Sequence, residues 1–109
     1  MKLTFFGHSC TLIDFGSTKI LFDPFISGNE LASNVDIDSI EANYILVSHG
    51  HEDHILDVER IAKRTGAKII APYETCMWFA QKGLDGHPMN HGGKWNFDFG
   101  TVKMTNAIH

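Results

Sequence analysis

The chain has 109 residues, 43% of them hydrophobic, and a formal net charge of −4. That length holds at most one small domain, residues 1–109, and the composition is that of a globular protein. The acidic balance argues against a nucleic-acid partner, which usually meets a basic face, and no apolar run approaches the roughly 18 residues of a membrane helix.

Leu3-Thr4-Phe5-Phe6 reads as a first strand ended by Gly7. Residues 10–15 and 18–22 read as a second and third, with Gly16-Ser17 as the turn between them, so the amino end is an antiparallel meander. Asp23-Pro24 closes it, because proline has no N–H for a ladder and restricts the residue before it. Residues 26–43 form a long connection rich in turn formers, with one helical turn at 39–42; it reads equally as a lid over a site or as a solvated crossover. Residues 44–48 are an apolar, β-rich strand. A helix follows at 57–64 with Gly66 as its C-cap, then a short strand at 68–71 paired in parallel. A second helix spans 73–82 and stops at Gly83. Its predicted core stripe is Cys76, Met77 and Ala80. Residues 86–93 read as a glycine-rich turn, and strands at 94–98 and 101–106 end the chain. The two cysteines, Cys10 and Cys76, form no Cys-x-x-Cys motif and read as free, packed thiols. The first residues lack the pattern of a secretory leader, which predicts a cytoplasmic protein.

The stretch that carries chemistry is Ser48-His49-Gly50-His51-Glu52-Asp53-His54. Three histidines and a carboxylate fall within six positions, on a loop at the carboxyl end of a buried strand, where open α/β structures place their sites. Imidazole nitrogen and carboxylate oxygen are the usual Zn²⁺ donors in sites that keep a position open for water. The spacing is not that of the helical His-Glu-x-x-His of zinc proteases, since His51 and His54 are three apart. His49 and His51, two apart in extended chain, point to one side and can chelate one cation. Asp53 and His54 turn the other way and can serve a second. A metal lowers the pKa of a bound water to about 7 and makes it a nucleophile; Asp53 reads either as the holder of that water's proton or as a ligand.

These residues resemble the metallo-β-lactamase fold, and more closely a bacterial branch of metal-dependent hydrolases similar to ascorbate-6-phosphate lactonases. The resemblance rests on Phe6-Gly7-His8-Ser9, Phe22-Asp23-Pro24-Phe25, His49-Gly50-His51-Glu52-Asp53-His54, Met89-Asn90-His91-Gly92-Gly93 and Asn106-Ala107-Ile108-His109, in that order. It implies an α/β fold, the amino-terminal half of an αββα sandwich, with a mixed sheet and helices on one face. It implies His49, His51 and His109 on a first metal, Asp53 and His54 on a second, and Asp23 as a carboxylate that orients the ligand loop. His8 and His91 are expected to line the pocket. Family members are about twice this length, and their second half supplies a bridging aspartate and a further histidine that this sequence lacks. The expected partner is therefore the carboxy-terminal half of the same protein or another copy, a homo-oligomer included, covering an apolar sheet face.

The resulting expectation is a metal-dependent hydrolase acting on a small-molecule ester, lactone or phosphoester, a sugar-phosphate lactone among them. One or two Zn²⁺ ions are the default cofactor, with Mn²⁺ or Fe as alternatives. A second reading is a non-catalytic metal-binding or interaction module, complete only with another segment. A nuclease on the same fold is disfavoured by the acidic charge.

Overall fold

Described over residues 1–109 in a computed structural model, the polypeptide builds a six-stranded sheet and a separate two-stranded hairpin. β1 (Lys2–Gly7), β2 (Cys10–Asp14) and β3 (Lys19–Phe22) form the antiparallel meander that the turn residues predict. From β3 the sheet becomes parallel, adding β4 (Tyr44–Leu46), β5 (Lys68–Pro72) and β6 (Gly86–Met89) in chain order. The change of sense follows from the connections. Short turns return a chain antiparallel, whereas a parallel neighbour needs a crossover of a dozen residues or more.

The crossovers carry α1 (Glu52–Ile55), α2 (Val58–Thr65) and α3 (Tyr73–Ala80). α2 ends at Gly66, whose φ of 74 lets its N–H return to the Ala62 carbonyl at 2.8 Å, the left-handed cap expected there. Side chains alternate along a strand, so Leu21, Ile45, Ile69 and Ala71 face one side. There they pack with Val58, Ile61 and Ala62 of α2 and Cys76 and Phe79 of α3. The mixed sheet with helices on one face is the predicted class.

Three local expectations fail. The buried stripe of α3 is Cys76 with Phe79, while Met77 and Ala80 are exposed. Positions i and i+3 share a helix face, and i+1 is turned about 100° away. Residues 86–89 are strand rather than turn. Gly86 is there for proximity, since a Cβ would lie 3.3 Å from both Cys76 Sγ and the Ile69 carbonyl. Pro88 is tolerated because β6 is an edge strand. Finally, residues 26–43 are not a purely solvated crossover. Their helical turns fall at Glu30–Ala32 and Ile37–Ser39, and Ile26, Ala32, Ile37, Ile40 and Ala42 are part of the core.

One buried carboxylate ties that connection down. Asp57, just before α2, is 3% exposed. It accepts the backbone N–H groups of Ile26 and Ser27 at 2.7 and 2.9 Å and the Ser27 hydroxyl at 2.6 Å. Its own N–H donates to the Pro24 carbonyl at 3.0 Å. A buried carboxylate is tolerated only when paired or bonded in this way.

The opposite face of the sheet is only partly covered. β7 (Lys94–Phe97) and β8 (Gly100–Lys103) form the hairpin. Its Phe97 and Phe99 pack edge-on against Tyr44, and Trp95 and Phe97 lie against His87. Tyr44 Oη donates to Asp98 at 2.9 Å. The hairpin thus covers the parallel strands. β8 ends at Lys103, short of the expected 106, although Met104 still bonds to Gly92 and Gly93. Over β1 this face is bare: Leu3 is 65% and Phe5 68% exposed.

Asp57→Ala removes the acceptor for two buried or half-buried backbone donors and a hydroxyl. It is expected to cost about 3 kcal/mol of stability, read from a urea unfolding curve with unchanged slope.

Candidate metal centre

The chain leaves β3 at Asp23, whose φ of 41 is a left-handed conformation that costs a non-glycine residue on the order of 1 kcal/mol. The bend puts a nearly buried carboxylate beneath the end of β4. Asp23 Oδ1 accepts the Ser48 N–H at 2.7 Å; Oδ2 accepts the Ser48 hydroxyl at 2.7 Å and lies 2.9 Å from His54 Nδ1. Its backbone N–H donates to the Leu46 carbonyl at 3.0 Å. One side chain therefore fixes both the start of the histidine loop and a ring at its end.

The proton positions follow from counting donors. The Ser48 hydroxyl has a single hydrogen, and Asp23, a carboxylate, can only accept. Ser48 Oγ therefore accepts from His49 Nδ1, 2.9 Å away. With the proton on Nδ1, the neutral ring presents a lone pair at Nε2. That atom is buried and has no hydrogen-bond partner. The same logic puts the His54 proton on Nδ1, toward Asp23, and turns its Nε2 to the site.

Two groups of donors result. His49, His51 and His109 bring ring nitrogens within 4.8 Å of one another. The three ring centroids are 4.7 to 4.8 Å apart, and His51 Nδ1 faces His109 Nε2 at 3.0 Å. His51 is in extended backbone just before α1. His109 arrives from the irregular chain beyond β8, a contact across 58 positions. His8, Asp53 and His54 form the second group, also within 4.8 Å. His49 and His54 link the two, with ring centroids 4.1 Å apart.

The donor set fits a divalent cation. Donors 2.0–2.2 Å from a tetrahedral ion lie roughly 3.3–3.6 Å from each other, and the observed spacings need only small side-chain rotations to reach that. The buried, orphaned Nε2 of His49 is the sharpest sign, since buried nitrogen lone pairs normally find a donor. Burial, and then the neighbouring imidazoles of His54, His51 and His109, hold His49 below the ordinary imidazole pKa despite the opposing charge of Asp23. Neutral imidazole is the ligating form. For Asp53, desolvation pushes the carboxyl upward, but the hydrogen bond from His8 and the charge of His54 outweigh it, and the pKa is lowered.

The structure brings His49, His51, Asp53, His54 and His109 together with Asp23 and His8. It leaves out His91, which is exposed in the turn before β7 and belongs to neither donor group. The reason is local: Gly92 at φ 77 and the Gly92–Met104 bond fold the turn onto the hairpin. Ser48 and Asp57 are the residues the sequence reading passed over. A serine immediately before the first histidine was a usable signal for the former; Asp57 offered none. The two thiols are free and buried as expected, and burial pushes Cys10 up to about 12. A concavity of about 320 Å³, lined by residues such as Lys2, Phe6, Leu12 and Asp14, holds none of the histidines. The donor groups sit instead on an open edge, where His8, His51, Asp53 and His109 are all exposed.

A pH dependence follows from His49. Its folded pKa lies below the ordinary imidazole value of 6.5, so below that pH the unfolded chain takes up the proton more readily than the folded one. The metal-free protein is expected to lose stability as pH falls through 6.5, and His49→Gln should flatten that part of the pH curve, read by thermal unfolding at a series of pH values.

The profile of the metallo-beta-lactamase superfamily matches residues 3–106. Among curated relatives, a "UPF0173 metal-dependent hydrolase" of Flavobacterium johnsoniae is 53% identical over 109 residues, covering 100% of this chain and 48% of its own length. The "UPF0173 metal-dependent hydrolase YtkL" of Bacillus subtilis is 45% identical over 109 residues, with 100% and 48% coverage. A solved structure, Igni18, described as a novel metallo hydrolase from the hyperthermophilic archaeon Ignicoccus hospitalis, superposes with a TM-score of 0.86 at 32% identity, over 98% of this chain and 48% of that one. The chain spans about half the length of the curated relatives it matches. It belongs to the metallo-beta-lactamase superfamily.

Proposed function

We propose that this chain carries the metal-binding edge of a metal-dependent hydrolase and is the amino-terminal half of its domain. The observation that carries the reading is the buried lone pair at His49 Nε2, placed beside the facing nitrogens of His51 and His109. These three residues hold a first cation. Asp53 and His54 hold a second, and Asp23 keeps His54 turned toward it. Zinc suits the imidazole and carboxylate donors, with Mn²⁺ or Fe as the alternatives that availability decides.

When bound, the cations supply an acidified water as nucleophile and polarise the oxygen of the group under attack. The chain's own residues do the rest. Ser48 and Asp23 fix the tautomers of His49 and His54, so that their Nε2 atoms are ready as acceptors without rearrangement. The Asp53 carboxylate is held ionised beside His8 and His54, the form in which it can meet a cation. The substrate class is a small-molecule ester, lactone or phosphoester, a sugar-phosphate lactone being the narrower choice. A formal charge of −4 supports a small molecule over nucleic acid, and no helix is long and apolar enough to cross a membrane. Two free thiols support a reducing, cytoplasmic setting.

The exposed Leu3 and Phe5 support a covering layer over the meander, either the remaining half of the protein or another copy in a homo-oligomer. One observation favours a second reading. The donor groups lie on an open edge, with His8, His51, Asp53 and His109 exposed, as in a metal-binding module that is inert until joined by another segment.

Hydrolysis of an ester and lactone panel by the purified protein, with and without chelator, tests the first reading. Turnover is expected to vanish with chelator and return with Zn²⁺, and His51→Ala is expected to lose one ion and at least about 100-fold in kcat/KM. Chelator-insensitive turnover overturns the hydrolase reading. Tightly held metal with no turnover on any substrate selects the inert module.

A further inference from the structure

His8 occupies a conformation its residue type does not favour. It is the first residue of the two-residue turn between β1 and β2, where Gly7 pairs with Cys10. Its φ is 53, at a turn position that glycine usually fills. A side chain there costs on the order of 1 kcal/mol. The ring is nonetheless well seated. It meets Phe25 edge-on at 5.4 Å and His54 at 5.2 Å, and its Nε2 lies 3.0 Å from Asp53 Oδ2.

The other two residues of the second donor group are each held by a neighbour. Each has two atoms that could meet a cation, and each has one of them occupied by a neighbour. His54 spends Nδ1 on Asp23 at 2.9 Å. Asp53 spends Oδ2 on His8. The atoms left over, His54 Nε2 and Asp53 Oδ1, face each other at 3.8 Å. That is close to the separation of two donors on a common ion. A carboxylate free to rotate would offer both oxygens and close a position that catalysis needs open for water.

Building on the metal reading above, we propose that His8 is a positioning residue. Its Nε2–H holds Asp53 Oδ2, so that Asp53 meets the second cation through Oδ1 alone, opposite His54 Nε2. His8 does not itself bind the ion. The strained turn is what brings a side chain from the far end of the sheet, 45 positions away in sequence, to an aspartate on α1. Ligating carboxylates and imidazoles are generally held by such outer partners, whose loss costs 10–100-fold in metal affinity.

The test is equilibrium titration of the purified, metal-free protein with Co²⁺, followed by its visible spectrum. His8→Ala is expected to weaken the second ion about 10–100-fold and leave the first unchanged, which also shows that the variant is folded. His8→Gln carries an amide N–H to the same region and the same backbone penalty; it is expected to recover most of the lost affinity. A second ion bound by His8→Ala as tightly as by the wild type overturns the proposal. So does His8→Gln as weak as His8→Ala. Should either variant fail to fold, ¹⁵N NMR of the zinc-loaded wild type decides: His8 Nε2 stays protonated if the proposal holds, and a metal-shifted Nε2 overturns it. A wild-type protein that binds one ion, lost on His51→Ala, and no second overturns this inference alone. One that binds none overturns the metal reading as well.

Discussion

The carboxylate of Asp23 is the point on which the histidine loop depends. It is almost out of water, and its two oxygens meet three donors: the Ser48 amide, the Ser48 hydroxyl and His54 Nδ1. A buried charge is tolerable only when its lone pairs are used, so the loop cannot drift without exposing it. The same bonds pass orientation outward. Through Ser48 they fix His49, and directly they fix His54, so both rings present Nε2 to the site before any ion arrives. The arrangement costs a left-handed Asp23, a strain of the kind that accumulates at functional sites.

Behind that carboxylate stands a second one. Asp57 secures the chain that follows Asp23, accepting from Ile26 and Ser27 while donating to Pro24. The two aspartates hold opposite ends of one short turn. The sheet below them is equally decisive. β3 and β4 pair in parallel, with Phe22 beside Leu46, so the residues that leave the two strands emerge side by side. Asp23 and Ser48 meet because the strands end together.

Much of this was legible in the sequence because it is local. The meander shows in its turn residues, the helix before Gly66 in its cap, and the histidine loop in its spacing. Long-range placement was legible only through resemblance. Nothing in residues 104–109 alone marks His109 as a neighbour of His51, and their contact depends on how the hairpin folds across the sheet. The errors share a cause. Gly86 and the following residues read as a turn because glycine is permissive, yet here it lets Cys76 of α3 approach β6 closely. The stripe on α3 was set one step off because Met77 is apolar, although the neighbouring strands receive Phe79. His8 read as a residue lining the site, and the structure brings it there; its bond to Asp53 depends on a backbone angle that no residue pattern reports.

Pro88 has a consequence for assembly. β6 is an outer strand of the sheet, and outer strands offer unpaired amides on which a foreign strand can template itself, the route to fibrils and runaway polymerisation. A residue without an amide hydrogen breaks that row in its middle. Growth of the sheet sideways past β6 is thereby discouraged, while the greasy patch at Leu3 and Phe5 stays open to a layer stacked upon it.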